Sequence, residues 1–126
     1  WNKNMSNKIT VHFGDLSKID LVYSRREDDC VVLGLVTVGY IDGSPEIQTE
    51  LLDKMEGYLK HINSEDFKAE YSQSTIYIDV IFEEIPHVLI TDLLYKCTFW
   101  CKENGANLRL KIGEEYYRFV KSISSI

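Results

Sequence analysis

Hydrophobic positions recur along this chain in two periods, and the switches between them mark its elements. KITVHF (8–13) alternates Ile9, Val11 and Phe13 against Lys8, Thr10 and His12, the period of a half-buried strand. Gly14 and Asp15 interrupt it. KIDLVYS (18–24) reads as a second strand, RREDD (25–29) as a polar turn, and CVVLGLVTV (30–38) as a nearly continuous apolar run. The β-branched content of that run predicts a central strand buried on both faces. Residues 18–38 are therefore a predicted β-hairpin, with Gly34 marking a bulge or close backbone approach.

The period then lengthens. Ser44 is a natural N-cap and Pro45 suits the first helical position. Over residues 46–62, Ile47, Leu51, Met55, Tyr58 and Ile62 form one helical stripe, widened by Leu52 and Leu59. Glu46, Glu50, Asp53, Lys54 and Lys60 are assigned to the opposite side, and Gly57 to an outer face where a neighbour can approach. NSED (63–66) ends the helix and FKAEY (67–71) reads as extended. STIYIDVIF (74–82) is the clearest strand, with Ile76, Ile78, Val80 and Phe82 facing one way and Thr75, Tyr77 and Asp79 the other. Pro86 opens a second helix that runs to Asn104, with Gly105 as a left-handed cap. NLRLKI (107–112) alternates again, and EEYYRFVKSI (114–123) carries helical spacing. The expectation is one α+β domain over residues 5–126: a mainly antiparallel sheet of four to five strands, two main helices packed on one face, and a short C-terminal helix. Trp1 to Asn4 precede Met5 and read as a remnant foreign to the natural chain.

Composition narrows the function classes. The 126 residues carry 20 acidic and 14 basic side chains, a net charge of −6. Phosphate binding needs a basic surface, so direct contact with nucleic acid is not expected. No apolar run approaches the ~20 residues that span a bilayer. No signal-peptide pattern opens the chain, and three cysteines suit a reducing cytoplasm better than a disulfide scaffold.

The segment CTFWC (97–101) looks like chemistry, but Cys97 and Cys101 share the apolar stripe of Ile90 and Leu94. Zinc needs further His or Cys ligands. A redox pair favours a helix N-terminus, whereas these thiols sit near the opposite end. They read as core, with no metal or cofactor expected. His12, His61 and His87 make no paired-ligand spacing, no G-x-S-x-G elbow appears, and no phosphate-binding glycine loop is present. His87 at a helix start is a candidate base without an evident orienting partner, so no catalytic residue is assigned and the chain reads as non-enzymatic. The carboxylates carry more weight. Glu46, Glu50 and Asp53 share a helix face at i, i+4 and i+7, Asp42 precedes them and Glu56 lies alongside. A solvated face partly neutralised by Lys54 and Lys60 is one reading. An acidic docking surface, with Tyr40 as an aromatic anchor, is the other.

The stretch LLDKMEGYLKHINSEDF (51–67), with KIDLVYS and its hairpin, TIYIDVIFEEIP and KENGANLRLKI, resembles a small uncharacterised bacterial α+β domain family over about residues 18–112. That resemblance implies the element order above and no catalytic residue. In size, acidity and lack of an active-site motif the chain is also similar in type to bacterial toxin-immunity proteins. That likeness implies a protein that acts by binding a toxin domain; the expectation is a cytoplasmic monomer or weak homodimer that meets a basic toxin domain through the acidic surface read above, Asp42, Glu46, Glu50, Asp53 and Glu56 with Tyr40.

Overall fold

The computed structural model describes residues 9–25 and 27–119. A short hairpin comes first, β1 (Ile9–Thr10) against β2 (Gly14–Asp15). Then follow β3 (Leu21–Arg25), β4 (Cys30–Val36), α1 (Pro45–Ile62), α2 (Glu65–Tyr71), β5 (Thr75–Phe82), α3 (Val88–Glu103), β6 (Asn107–Ile112) and β7 (Glu115–Tyr117). The five later strands form one sheet in the order β3-β4-β5-β6-β7. The fold is α+β, as the periodicities predict.

The sheet is mixed rather than mainly antiparallel. β3–β4 and β6–β7 are antiparallel, while β4–β5 and β5–β6 run parallel. The cause is the connections. A tight turn reverses the chain, whereas a helical crossover returns it to the same end of the sheet. α1 and α2 make the first crossover and α3 the second. In consequence the C-terminal ends of β4, β5 and β6 all point to one end of the molecule. β5, not β4, is the central strand, although β4 is buried from Cys30 to Leu35 as its apolar run predicts.

Three local expectations are corrected. Residues 8–13 are not one strand: the chain turns at Val11–Phe13, burying Phe13 and leaving Ile9 and Val11 exposed. The Thr10 hydroxyl accepts from Phe13 N at 3.1 Å and holds that turn. Residues 67–71 lie in a helix, not a strand. Ser64 caps α2 by accepting from Phe67 N, and Glu65 and Asp66 sit favourably in its first turn. Residues 115–117 form β7 instead of opening a helix. Gly113, at φ +62°, makes the tight turn that folds β7 onto β6. The remainder of the predicted C-terminal helix, 120–123, lies outside the described residues, as do Trp1–Asn4.

Alternation sorts the sheet into two faces. Leu33, Leu35, Ile78, Val80, Phe82, Leu108 and Leu110 are buried on one, in a core shared with Leu51, Met55, Tyr58 and Leu59 of α1 and Ile90, Leu94, Cys97 and Cys101 of α3. The opposite face carries Leu21, Tyr23, Tyr77, Asp79, Arg109 and Tyr116. Gly34 lies on it under Leu21: a Cβ there would stand 3.2 Å from two Leu21 side-chain atoms, the close approach its position in the strand predicts.

Candidate functional site

At the end of the sheet where β4 and β5 finish, three segments are tied together by hydrogen bonds. Val38 N donates to His12 O at 2.9 Å, Gly39 N donates to the Glu83 carboxylate at 2.8 Å, and His87 N donates to Ile41 O at 3.0 Å. These bonds bring the β1–β2 hairpin, the β4–α1 loop and the β5–α3 loop to one place. A hollow of about 470 Å³ opens there, between Ile9, Val11 and His12 on the hairpin and Asp42, Glu46 and Glu50 at the start of α1. Ile9 and Val11 are 75% and 83% exposed. Tyr40, exposed, leaves the same loop two positions before Asp42. Val38, Ile85, Val88 and Leu89, all exposed, project from the tied segments.

The carboxylates are held by local chemistry. Asp42 accepts from Ser44 N at 2.9 Å, and hydrogen bonding from Ser44 keeps its pKa below the ordinary carboxylate value. Ser44 in turn caps α1 through Ile47 N, with Pro45 in the first turn. Asp42 and Glu46 therefore stand at the positive end of the helix, where negative charge is favoured. Asp53 and Glu56 are exposed but lie farther along α1. At ~1.5 Å per residue Glu56 is about 15 Å from Glu46 along the axis, and it borders a different depression with Trp100 and Asn104. Of the six residues singled out in the sequence, Asp42, Glu46 and Glu50 share the groove, Tyr40 adjoins it by chain position, and Asp53 and Glu56 lie apart from it.

Lys54 does not neutralise this face. It is fully buried, and its ammonium donates to Phe13 O and to Asp20 at 2.8 Å. The other Asp20 oxygen accepts from Val36 N, and Asp20 N donates to the Tyr58 hydroxyl, which itself donates to Gly34 O. Lys54 adjoins the apolar stripe of α1, and the chain from Phe13 to Asp20 folds back over it. Gly57 lies beneath the same segment, its Cβ position 3.7 Å from Leu16 O. Lys60 is exposed near the far end of the helix. The acidic start of α1 thus lacks the compensation from Lys54 that spacing suggests.

Other candidates are occupied. His87 is the N-cap of α3, its Nδ1 accepting from Leu89 N at 3.0 Å. Cys97 and Cys101 are buried core thiols, and Cys101 Sγ lies 3.8 Å from Met55 Sδ. Burial pushes their pKa values up to about 11 and about 12. Among the described residues no group of three or more His, Cys, Asp or Glu side chains is placed to hold a metal ion. A hollow of about 520 Å³ at the other end of the molecule is lined by Phe67, Tyr71 and the Asn63–Asn104 pair. On the open sheet face, buried Asp79 accepts from Arg109 at 2.7 and 3.1 Å and from Tyr116 at 2.7 Å. Arg109 also lies 4.0 Å from the Tyr77 ring centroid and 4.5 Å from that of Tyr116. This cluster was not anticipated, although Asp79 and Arg109 sit at matching positions of two alternating strands.

Fold and groove define a class: a two-layer α+β protein with a mixed five-stranded sheet and an acidic, partly apolar groove at the strand ends. Comparison with protein-family models, curated proteins and solved structures finds no match to the chain. No helix among the described residues is long and apolar enough to cross a membrane.

Proposed function

We propose that the protein is a non-enzymatic binding protein, and in its sharp form a cytoplasmic bacterial immunity protein that neutralises a cognate toxin by direct binding and active-site occlusion. The observation that carries this reading is the groove. Three carboxylates stand beside two almost bare aliphatic side chains, with Tyr40 nearby. Protein interfaces combine apolar or aromatic anchors with a polar rim, and carboxylates on one partner steer a cationic one. A nuclease is cationic where it grips phosphate, so a basic nuclease domain fits the groove. Asp53 and Glu56 extend the negative field along α1 without lining the groove.

The test is to mix the full chain with the toxin domain encoded beside it. A stable complex with loss of nuclease activity is expected. Glu46→Lys with Glu50→Lys should slow association roughly ten-fold or more at low ionic strength, an effect that fades in high salt. Asp53→Lys with Glu56→Lys should slow it less. Absence of a complex, or an association rate that ignores the Glu46 and Glu50 reversals, overturns the proposal. A second reading, an accessory or regulatory domain acting as a homodimer, is favoured by one observation: every residue of the edge strand β3 is exposed.

A further inference from the structure

The two edges of the main sheet are unlike. β7 is three residues long and is flanked by Glu114 and Arg118, with Glu115 within it. Short, charged edges resist pairing with other chains. β3 is five residues, LVYSR, with no proline or lysine. Its Leu21, Val22 and Tyr23 are 43%, 41% and 39% exposed, and since neighbours alternate, apolar surface lies open on both sides of the strand. Its one charge, Arg25, is paired with Asp28 in the adjoining turn. Among the described residues nothing pairs with the outer edge of β3.

We infer that β3 pairs antiparallel with β3 of a second copy about a two-fold axis through Tyr23, joining two sheets into one. The strand is self-complementary in that register. Tyr23 meets its own counterpart, Val22 meets Ser24, and Leu21 meets Arg25. No like charges fall opposite one another, an arrangement that would be destabilising. Beyond the strand ends, the same register carries exposed Lys18 of one copy toward the Asp28–Asp29 turn of the other. An isologous pairing of this kind closes at two copies and does not propagate. No groove residue lies on β3, so the dimer holds two grooves and gains avidity for a partner that is itself paired. The inference does not depend on the toxin-binding reading: a monomer that binds toxin would overturn the dimer alone.

Sedimentation of the full chain over a concentration series tests it, with the mass expected to rise toward twice that of one chain. Val22→Lys puts a charge on the joint from both copies and should weaken association at least roughly ten-fold, with circular dichroism checking that the variant folds. A second measurement fixes the register. Residues directly opposed in an antiparallel pair have Cα atoms about 4.5–5.5 Å apart, within disulfide reach. Tyr23→Cys should therefore form a disulfide-linked dimer under mild oxidation, and Leu21→Cys, which faces Gly34 in its own chain and Arg25 across the joint, should not. A monomer at every concentration, or equal cross-linking by the two cysteine variants, overturns the inference.

Discussion

Lys54 shows how one side chain can mislead a helical wheel. Spacing places it beside the acidic face, yet its ammonium is enclosed by Phe13 O and Asp20. What the wheel lacks is the chain segment that folds back over the helix. Breaking such a buried pair from one side leaves the other charge stranded. Asp20→Ala is accordingly expected to cost ~3–5 kcal/mol, read as a lower denaturation midpoint. The cysteines behave as their spacing predicts, because an apolar stripe needs no knowledge of distant chain. Burial raises Cys97 from 9.0 to about 11 and Cys101 to about 12. Below pH 9 both states hold these protons, so the full contribution to stability is present. Above it the unfolded chain releases protons that the folded chain keeps, and stability falls until the folded thiols titrate. The melting temperature should thus drop faster above pH 9 in the native chain than in a Cys97→Ala, Cys101→Ala variant. At pH 8 an alkylating reagent should modify no thiol until the protein unfolds, as mass spectrometry would show.

At the scale of elements, legibility followed capping and turn chemistry. α1 was readable because Ser44, Pro45 and a five-residue apolar stripe agree. Removing the cap by Ser44→Ala should cost about 1 kcal/mol, seen as a matching shift in thermal unfolding. α2 and β7 carried comparable signals, Ser64 before two acids and Gly113 before a polar residue, but aromatic-rich sequences of this length fit either period. Tertiary contact decides between them: Phe67 is drawn into the core beneath α1, and Tyr116 into the Asp79 cluster. The hairpin β1–β2 departs from its sequence pattern for the opposite reason. Its alternation is regular, but only Phe13 finds a buried place, so the apolar Ile9 and Val11 are left at the surface. There they form a wall of the groove.

At the scale of the whole molecule, the acidity of the sequence turns out to be distributed unevenly. The groove gathers Asp42, Glu46 and Glu50, while the open sheet face carries Arg109 and Lys111 among tyrosines. Net charge alone cannot reveal that division, since it depends on which strands lie side by side. Strand polarity was equally hidden, being a property of the connections rather than of any one segment. Asp79 anchors the open face, because its carboxylate holds both Arg109 and Tyr116. Asp79→Ala should leave Arg109 without its carboxylate and expose the Tyr77 and Tyr116 rings, raising binding of a hydrophobic dye at neutral pH. Dye binding equal to that of the native chain would show that the carboxylate does not order this face.

The parallel centre of the sheet has a consequence for how such a protein can change. β4 and β5 end together, so the loops 37–44 and 83–87 are neighbours in space while the β4–β5 and β5–β6 registers lie behind them. Their exposed positions, Val38, Tyr40, Asp42 and Ile85, can change without moving a core residue, whereas Thr37 and Ile41 are buried and a Cβ at Gly43 would stand 2.8 Å from His87 Nδ1. The surface around the groove can thus be rewritten at a few exposed positions of the hairpin, the loops and the first turns of α1 while the sheet beneath stays unchanged.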